Sequence, residues 1–153
     1  MRNIKYIAVH CTATPQTTSI DSIMNFWKTN LGWKMPGYHF IIKPDGEVAK
    51  LLSVDKVSNG VRGFNSETIN IAYIGGIDKN GKPIDNRTDS QKDSLLNLLK
   101  IFKTRYPKAI VQGHRDFPNV KKACPSFDAK KEFKNIKSMK SLKIFSVIFS
   151  FFL

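Results

Sequence analysis

Short β-branched runs and amphipathic stretches with helical spacing alternate along the first 112 residues, and this alternation constrains the fold more than any other feature. Ile4, Tyr6, Ala8 and His10 interleave with Lys5, Ile7 and Val9, a period of two that predicts a buried strand ending near His10. Ser19 is placed to cap a helix reaching about Leu31, because Ile20, Ile23, Met24, Trp27 and Leu31 recur on one face, and Gly32 is its stop. Tyr38 to Ile42 reads as a second strand, Pro44-Asp45-Gly46 as a turn, and Glu47 to Leu52 as the returning arm of a hairpin. Thr68 to Ile74 is a further β-rich run, stopped by Gly75-Gly76. Thr88 and Gln91 have capping-box spacing, and the helix they open carries Leu95, Leu98, Leu99 and Phe102 inward as far as about Tyr106, before Pro107. Ala109-Ile110-Val111 then offers a short strand leading into Gly113-His114, and a lysine-rich helix is expected from Asp128 to Ile136. Strands interleaved with helices in this way predict an α/β fold, a central mixed β-sheet flanked by helices.

A chain of 153 residues fits one domain, and its 41% apolar content supports an ordinary packed core rather than global disorder. Twenty-five Lys+Arg against twelve Asp+Glu give a formal charge of +13, which concentrates anionic polymers around the protein. Nucleic acid, teichoic acid, acidic peptidoglycan and anionic lipid all meet that condition. Met1 to Lys5 leads straight into the first strand without an apolar signal core, which predicts synthesis in the cytoplasm without ordinary signal-dependent export. Composition changes after Ile136: the run from Leu142 to Leu153 holds nine apolar side chains and one charge. As a helix it would span about 18 Å, short of the roughly 30 Å of a bilayer core. It is therefore expected to pack on the body or on another subunit, with interfacial membrane contact beside Lys134, Lys137, Lys140 and Lys143 as one alternative and an unpacked remnant as another.

Imidazoles at His10, His39 and His114 and thiols at Cys11 and Cys124 are the residues able to give nitrogen or sulfur to zinc. His114 and Cys124 flank a polar, proline-containing loop that can fold back on itself, and His10 at a strand end can supply a third donor. Three protein ligands would leave one tetrahedral position for water, the arrangement of hydrolytic rather than structural zinc. Cys11 follows His10 directly, so in a strand its side chain points to the opposite face and belongs to the core. A Cys11–Cys124 disulfide and a Cys–His catalytic pair with His114 compete with the metal reading. Tyr38 can aim a phenol into a cleft or serve as a packing aromatic, and Lys122 can place an ammonium beside the metal or remain one more solvated lysine. Gly75-Gly76 and Gly113 form no nucleotide-binding fingerprint, so phosphoryl transfer and dinucleotide chemistry have little support.

Five segments resemble, in order, the zinc-dependent N-acetylmuramoyl-L-alanine amidases of the phage-lysozyme and peptidoglycan-recognition-protein superfamily. They are Tyr6 to Thr14, Gly37 to Ile42, Asn70 to Gly76, Gly113 to Asp116, and Lys122 to Asp128, within a resemblance covering about residues 3 to 136. The resemblance implies an amidase domain over residues 1–136 and a tail over 137–153, with His10, His114 and Cys124 holding Zn2+ and Tyr38 and Lys122 beside the open position. His39 is not implied as a ligand. The implied substrate is bacterial peptidoglycan, cut at the amide between N-acetylmuramic acid and L-alanine in a shallow cleft. One departure stands out: several close relatives carry a histidine before a Gly-aromatic-Asn segment, where this chain has Gly60 ahead of Gly63-Phe64-Asn65. A noncatalytic peptidoglycan-binding module and a basic nucleic-acid-binding protein are the rivals, the latter requiring a continuous basic stripe in place of a metal-centred cleft.

Overall fold

The computed structural model of the chain describes residues 2–139. Its strands are β1 (Tyr6–Cys11), β2 (Phe40–Ile42), β3 (Val48–Lys50), β4 (Thr68–Tyr73) and β5 (Ile110–Gly113), joined in one sheet of order β3-β2-β4-β1-β5. β1 runs parallel to both β4 and β5, β2 runs parallel to β4, and β3 runs antiparallel to β2 as its hairpin partner. Helices α1 (Ile20–Thr29), α2 (Asp89–Arg105) and α3 (Ala129–Glu132) complete the mixed α/β architecture that the sequence predicts.

Both faces of the sheet are covered, which is why β1 and β4 are buried at nearly every position rather than at alternate ones. On one face Ile7, Val9 and Cys11 join Ile69, Ile71 and Tyr73 against Leu95, Leu98, Leu99 and Phe102 of α2. Each such fully buried large side chain contributes about 1.5–3 kcal/mol by leaving water. On the other face Ile41, Ala72 and Ile74 meet Ile23 and Trp27 of α1, while Ala8 meets Val61 and Phe117. His10 shares this second face with Ala8, because alternate residues of a strand point the same way.

Local chemistry fixes the helix ends. The Ser19 hydroxyl accepts from the Ser22 N–H at 3.1 Å to open α1. At α2 the predicted capping box forms, with Thr88 Oγ1 accepting from the Gln91 N–H at 3.0 Å and Gln91 Oε1 accepting from the Thr88 N–H at 3.1 Å. The Gln91 amide then donates to the carbonyls of Ile42 and Ile74, so the same residue caps the helix and ties it to the sheet.

Several boundaries differ from expectation. α1 ends at Thr29, and Leu31 lies outside it, 45% exposed rather than on the buried stripe. The cause is local: Gly32 adopts a φ of +65° and the chain turns back, the Trp33 N–H reaching the Trp27 carbonyl at 2.9 Å. β2 begins at Phe40 rather than Tyr38, β3 covers Val48–Lys50 rather than Glu47 to Leu52, and β5 starts one residue late. α3 is a single turn instead of a helix to Ile136, yet Phe133 is buried and Ile136 packs against the core, so the predicted apolar side survives. The apolar run from 142 to 153 lies outside the described residues, within which no helix is long and apolar enough to cross a membrane.

Candidate metal centre

The parallel pairing of β1 with β5 sets Val9 opposite Gly113, so His10 and His114 emerge side by side at the carboxyl ends of neighbouring strands. Their ring centroids are 4.7 Å apart. Cys124 is brought in by a close backbone approach: a Cβ on Gly113 would lie 2.6 Å from Pro125 Cδ, so a larger residue there would drive the following loop away. The Arg115 N–H donates to the Cys124 carbonyl at 2.8 Å and the Tyr73 hydroxyl donates to the Pro125 carbonyl at 2.7 Å, pinning the loop from two sides. Further on, the Arg87 guanidinium lies over the Phe127 ring, 3.3 Å from its centroid, and pairs with Asp85 and Glu132. This buried cation anchors the segment behind Cys124 to the body.

Together these contacts place the donor atoms of His10, His114 and Cys124 within 4.8 Å of one another. His10 Nδ1 is 3.7 Å from Cys124 Sγ. A tetrahedral zinc with Zn–N near 2.0 Å and Zn–S near 2.3 Å has an N···S edge of about 3.5 Å, so the donors stand close to ligating separation before any metal is considered. Two imidazoles and a thiolate are also a donor set that zinc accepts well. Both cysteines are free, so the alternative disulfide is not formed. Cys11 is buried in the core as expected; its N–H donates to Cys124 Sγ at 3.3 Å, and its thiol also bears on that of Cys124.

Tyr38 lies against the centre, its ring 5.0 Å from that of His10, and packs edge-on against Trp27 at 5.1 Å. Burial pushes its phenol pKa well up, so the hydroxyl keeps its proton and can donate it in a hydrogen bond. Lys122 is exposed, and its positive charge acts on His10, His114 and Cys124 together. Hydrogen bonding with Cys11, then burial, hold the Cys124 thiol well above its ordinary pKa, while Lys122 and the Cys11 N–H pull the other way. A bound cation would favour the thiolate. His39, in contrast, does not join the donor cluster and lies instead among polar groups behind it.

Burial, reinforced by the charge of His114, depresses the His10 pKa to about 3, and burial also takes His39 to about 4. Both lie below the ordinary 6.5, so the folded protein excludes protons that the unfolded chain binds. Their stabilising contribution is complete above pH 6.5 and is lost as pH falls toward 4. Between pH 6.5 and 5 each should remove about 2 kcal/mol from the unfolding free energy of the metal-free protein. Urea unfolding at the two pH values checks this; a difference below about 1 kcal/mol in all would contradict neutral burial of both rings.

Asn70 escaped the sequence reading as a site residue. It is fully buried in β4 and its Oδ1 lies 2.9 Å from His10 Nε2, on the side of the ring away from Cys124. The available signal is a lone carboxamide between Ile69 and Ile71 in a β-rich run whose residues after Asn70 are apolar as far as Ile74.

Sequence and structure comparisons identify the family and the fold. The family described as N-acetylmuramoyl-L-alanine amidase matches residues 1–127. The endolysin of Klebsiella phage KP32 is 40% identical over 126 residues, covering 82% of each chain, and that of Escherichia phage T7 is 39% identical over 127 residues with the same coverage. Among solved structures, the Ph2119 endolysin from the Thermus scotoductus MAT2119 bacteriophage aligns with a TM-score of 0.74 at 27% identity, covering 91% of this chain and 88% of that one. With a profile match over most of its length, phage endolysins at about two-fifths identity and a His/His/Cys cluster at the strand ends, the chain belongs to the N-acetylmuramoyl-L-alanine amidase family.

Proposed function

We propose that this chain hydrolyses the amide between the lactyl group of N-acetylmuramic acid and L-alanine in bacterial peptidoglycan, with zinc held by His10, His114 and Cys124. The observation that carries the reading is the convergence of two imidazoles and one thiol at the carboxyl ends of β1 and β5, a three-ligand set that leaves a coordination position for water. Zinc in such a site lowers the pKa of water toward neutrality and polarises a carbonyl oxygen.

The protein's own groups complete the chemistry. Attack on the amide carbon converts a neutral carbonyl into a tetrahedral centre carrying concentrated negative charge. The protonated Tyr38 phenol donates a hydrogen bond to that charge, and the Lys122 ammonium compensates it electrostatically. Collapse of the tetrahedral centre breaks the C–N bond, leaving a lactyl carboxylate and, after protonation, a free alanine amine. Trp27, which packs edge-on against Tyr38, also lines a groove of about 720 Å³ with Met24, Lys28 and Trp33, an apolar and cationic surface suited to sugar rings and acidic peptide. The catalytic unit in this reading is residues 1–136, with 137–153 as an appended tail. The substrate is a wall polymer, so a product of cytoplasmic synthesis acts on it after release or delivery.

Incubating zinc-loaded protein with purified peptidoglycan and analysing the fragments by mass tests the reading directly. The expected result is muramic acid with a free lactyl carboxylate together with new L-alanine amines. Tight retention on the polymer with neither end released would instead identify a binding module.

A further inference from the structure

Behind the metal centre lies a chain of buried polar groups whose hydrogen positions can be deduced from one fixed donor. The Asn70 backbone N–H points at His39 Nδ1 at 3.0 Å. A backbone N–H can only donate, so Nδ1 carries a lone pair and the proton of neutral His39 resides on Nε2, which donates to the Lys56 carbonyl at 3.0 Å. Arg2 Nη1, 3.2 Å from the same nitrogen, satisfies itself on the carbonyls of Val54 and Lys56. The Ser58 hydroxyl lies 3.2 Å from His39 Nδ1, an acceptor it shares with the Asn70 N–H, and its oxygen accepts from Asn70 Nδ2 at 2.8 Å. That orients the carboxamide with Nδ2 toward Ser58 and Oδ1 toward His10. His10 Nε2, 2.9 Å from Oδ1, therefore carries the ring proton, and the lone pair on Nδ1 faces Cys124 Sγ.

His10, His39, Ser58 and Asn70 are each at most 1% exposed, and no buried side-chain polar atom among the described residues lacks a partner. Reversing one member would set donor against donor in a place water cannot reach, at a cost comparable to an unsatisfied buried group. The relay is possible because of Gly60. A Cβ there would stand 2.3 Å from Asn70 Cγ, 2.4 Å from Oδ1 and 2.7 Å from Nδ2. The Asn70 carboxamide thus occupies the space that any side chain at position 60 would need.

We infer that Asn70, given room by Gly60 and oriented by Ser58 and His39, is a positioning residue that holds His10 as the Nε2–H tautomer with its Nδ1 lone pair ready for a metal. The inference rests on the zinc reading above for its consequence, and on geometry alone for the tautomer. It also gives a physical account of the departure at Gly60: a larger residue there and an asparagine at 70 exclude each other.

The test uses the full chain with Asn70→Leu, Asn70→Asp and Gly60→Ala. Nitrogen-15 NMR of the metal-free proteins reads the His10 tautomer, and competition with a chromophoric chelator reads zinc affinity. Wild type should show the Nε2–H form. Asn70→Leu, which removes the acceptor, should lose that preference and bind zinc about 10- to 100-fold more weakly. Asn70→Asp keeps an acceptor facing His10 and should retain both the tautomer and affinity within a few fold. Gly60→Ala should move in the direction of Asn70→Leu although Asn70 is still present. Should Asn70→Leu fail to fold, Gly60→Ala and Ser58→Ala carry the same tautomer measurement. An Nδ1–H form in wild type, or an unchanged tautomer and affinity in Asn70→Leu, overturns the relay. If wild type shows the Nε2–H form but binds no zinc, the zinc reading fails while the tautomer assignment stands.

Discussion

Cys124→Ala is expected to leave a folded protein that holds no stoichiometric zinc and releases no alanine amines from peptidoglycan. The thiolate is the anionic member of the donor set, and the two imidazoles left behind offer neither its charge nor its softness. The fold should survive because Cys124 is only partly buried at the rim of the core, while Arg115, Tyr73 and Arg87 hold the surrounding loop through contacts that do not involve its sulfur. The metal-free variant should lose about 1 kcal/mol, an ordinary cost for a point substitution. It should also lose the stabilisation that zinc gives wild type, since a ligand that binds the folded state alone raises stability by mass action. Elemental analysis, thermal unfolding with and without zinc, and fragment analysis on one preparation separate these effects. Full zinc occupancy in Cys124→Ala would remove Cys124 from the ligand set, whatever happened to activity.

The elements most legible in the sequence are those with sustained periodicity and explicit end signals. α2 has both, with its apolar spacing and the Thr88–Gln91 box, and its predicted span holds almost to the residue. For α1 the apolar spacing through Leu31 predicts two residues more than form, because the left-handed backbone at Gly32 outweighs burial of one leucine. Short elements such as β2, β3 and α3 shift because one or two ladder or cap hydrogen bonds decide their ends.

Ligand proximity is a different kind of problem. His10 and Cys124 are 114 positions apart, and what unites them is parallel pairing of β1 with β5 plus the approach of Pro125 to Gly113, neither of which spacing encodes. Residue chemistry alone therefore left the disulfide and the Cys–His pair standing, and the ordered motifs of the family supplied the choice. The relay through Asn70 was hidden for a related reason. A polar residue in a strand ordinarily signals a solvent face, but here both faces are covered, so Asn70 had to find its partners inside. Gly60 was visible as a departure, and its meaning required knowing what fills the space beside it.

Lys122→Met is expected to slow the chemical step by about 100- to 1000-fold, or 3–4 kcal/mol, the usual cost of removing one well-placed group that stabilises an oxyanion. Methionine keeps most of the aliphatic stem, so packing changes little while the charge disappears. The ammonium acts electrostatically on all three members of the donor cluster, and in the proposed reaction negative charge develops beside that cluster. Charge on the carbonyl oxygen is small in the bound substrate and large in the tetrahedral species, so turnover should fall more than affinity. The same positive charge repels protons from His114, and its removal should ease protonation of that ring; at the Cys124 thiol the ammonium favours the thiolate while it repels a bound cation, two effects on zinc binding that oppose each other, so zinc content is measured rather than assumed. A solvated surface lysine would behave otherwise, since its loss at fixed ionic strength leaves single-turnover rates almost unchanged. Single-turnover cleavage of a soluble muropeptide at saturation, with zinc content and thermal unfolding measured on the same sample, decides between the two. A folded, zinc-replete Lys122→Met protein that cleaves at the wild-type rate would leave Tyr38 as the remaining side-chain donor to the oxyanion, and would make Tyr38→Phe the substitution in which the large loss must then appear.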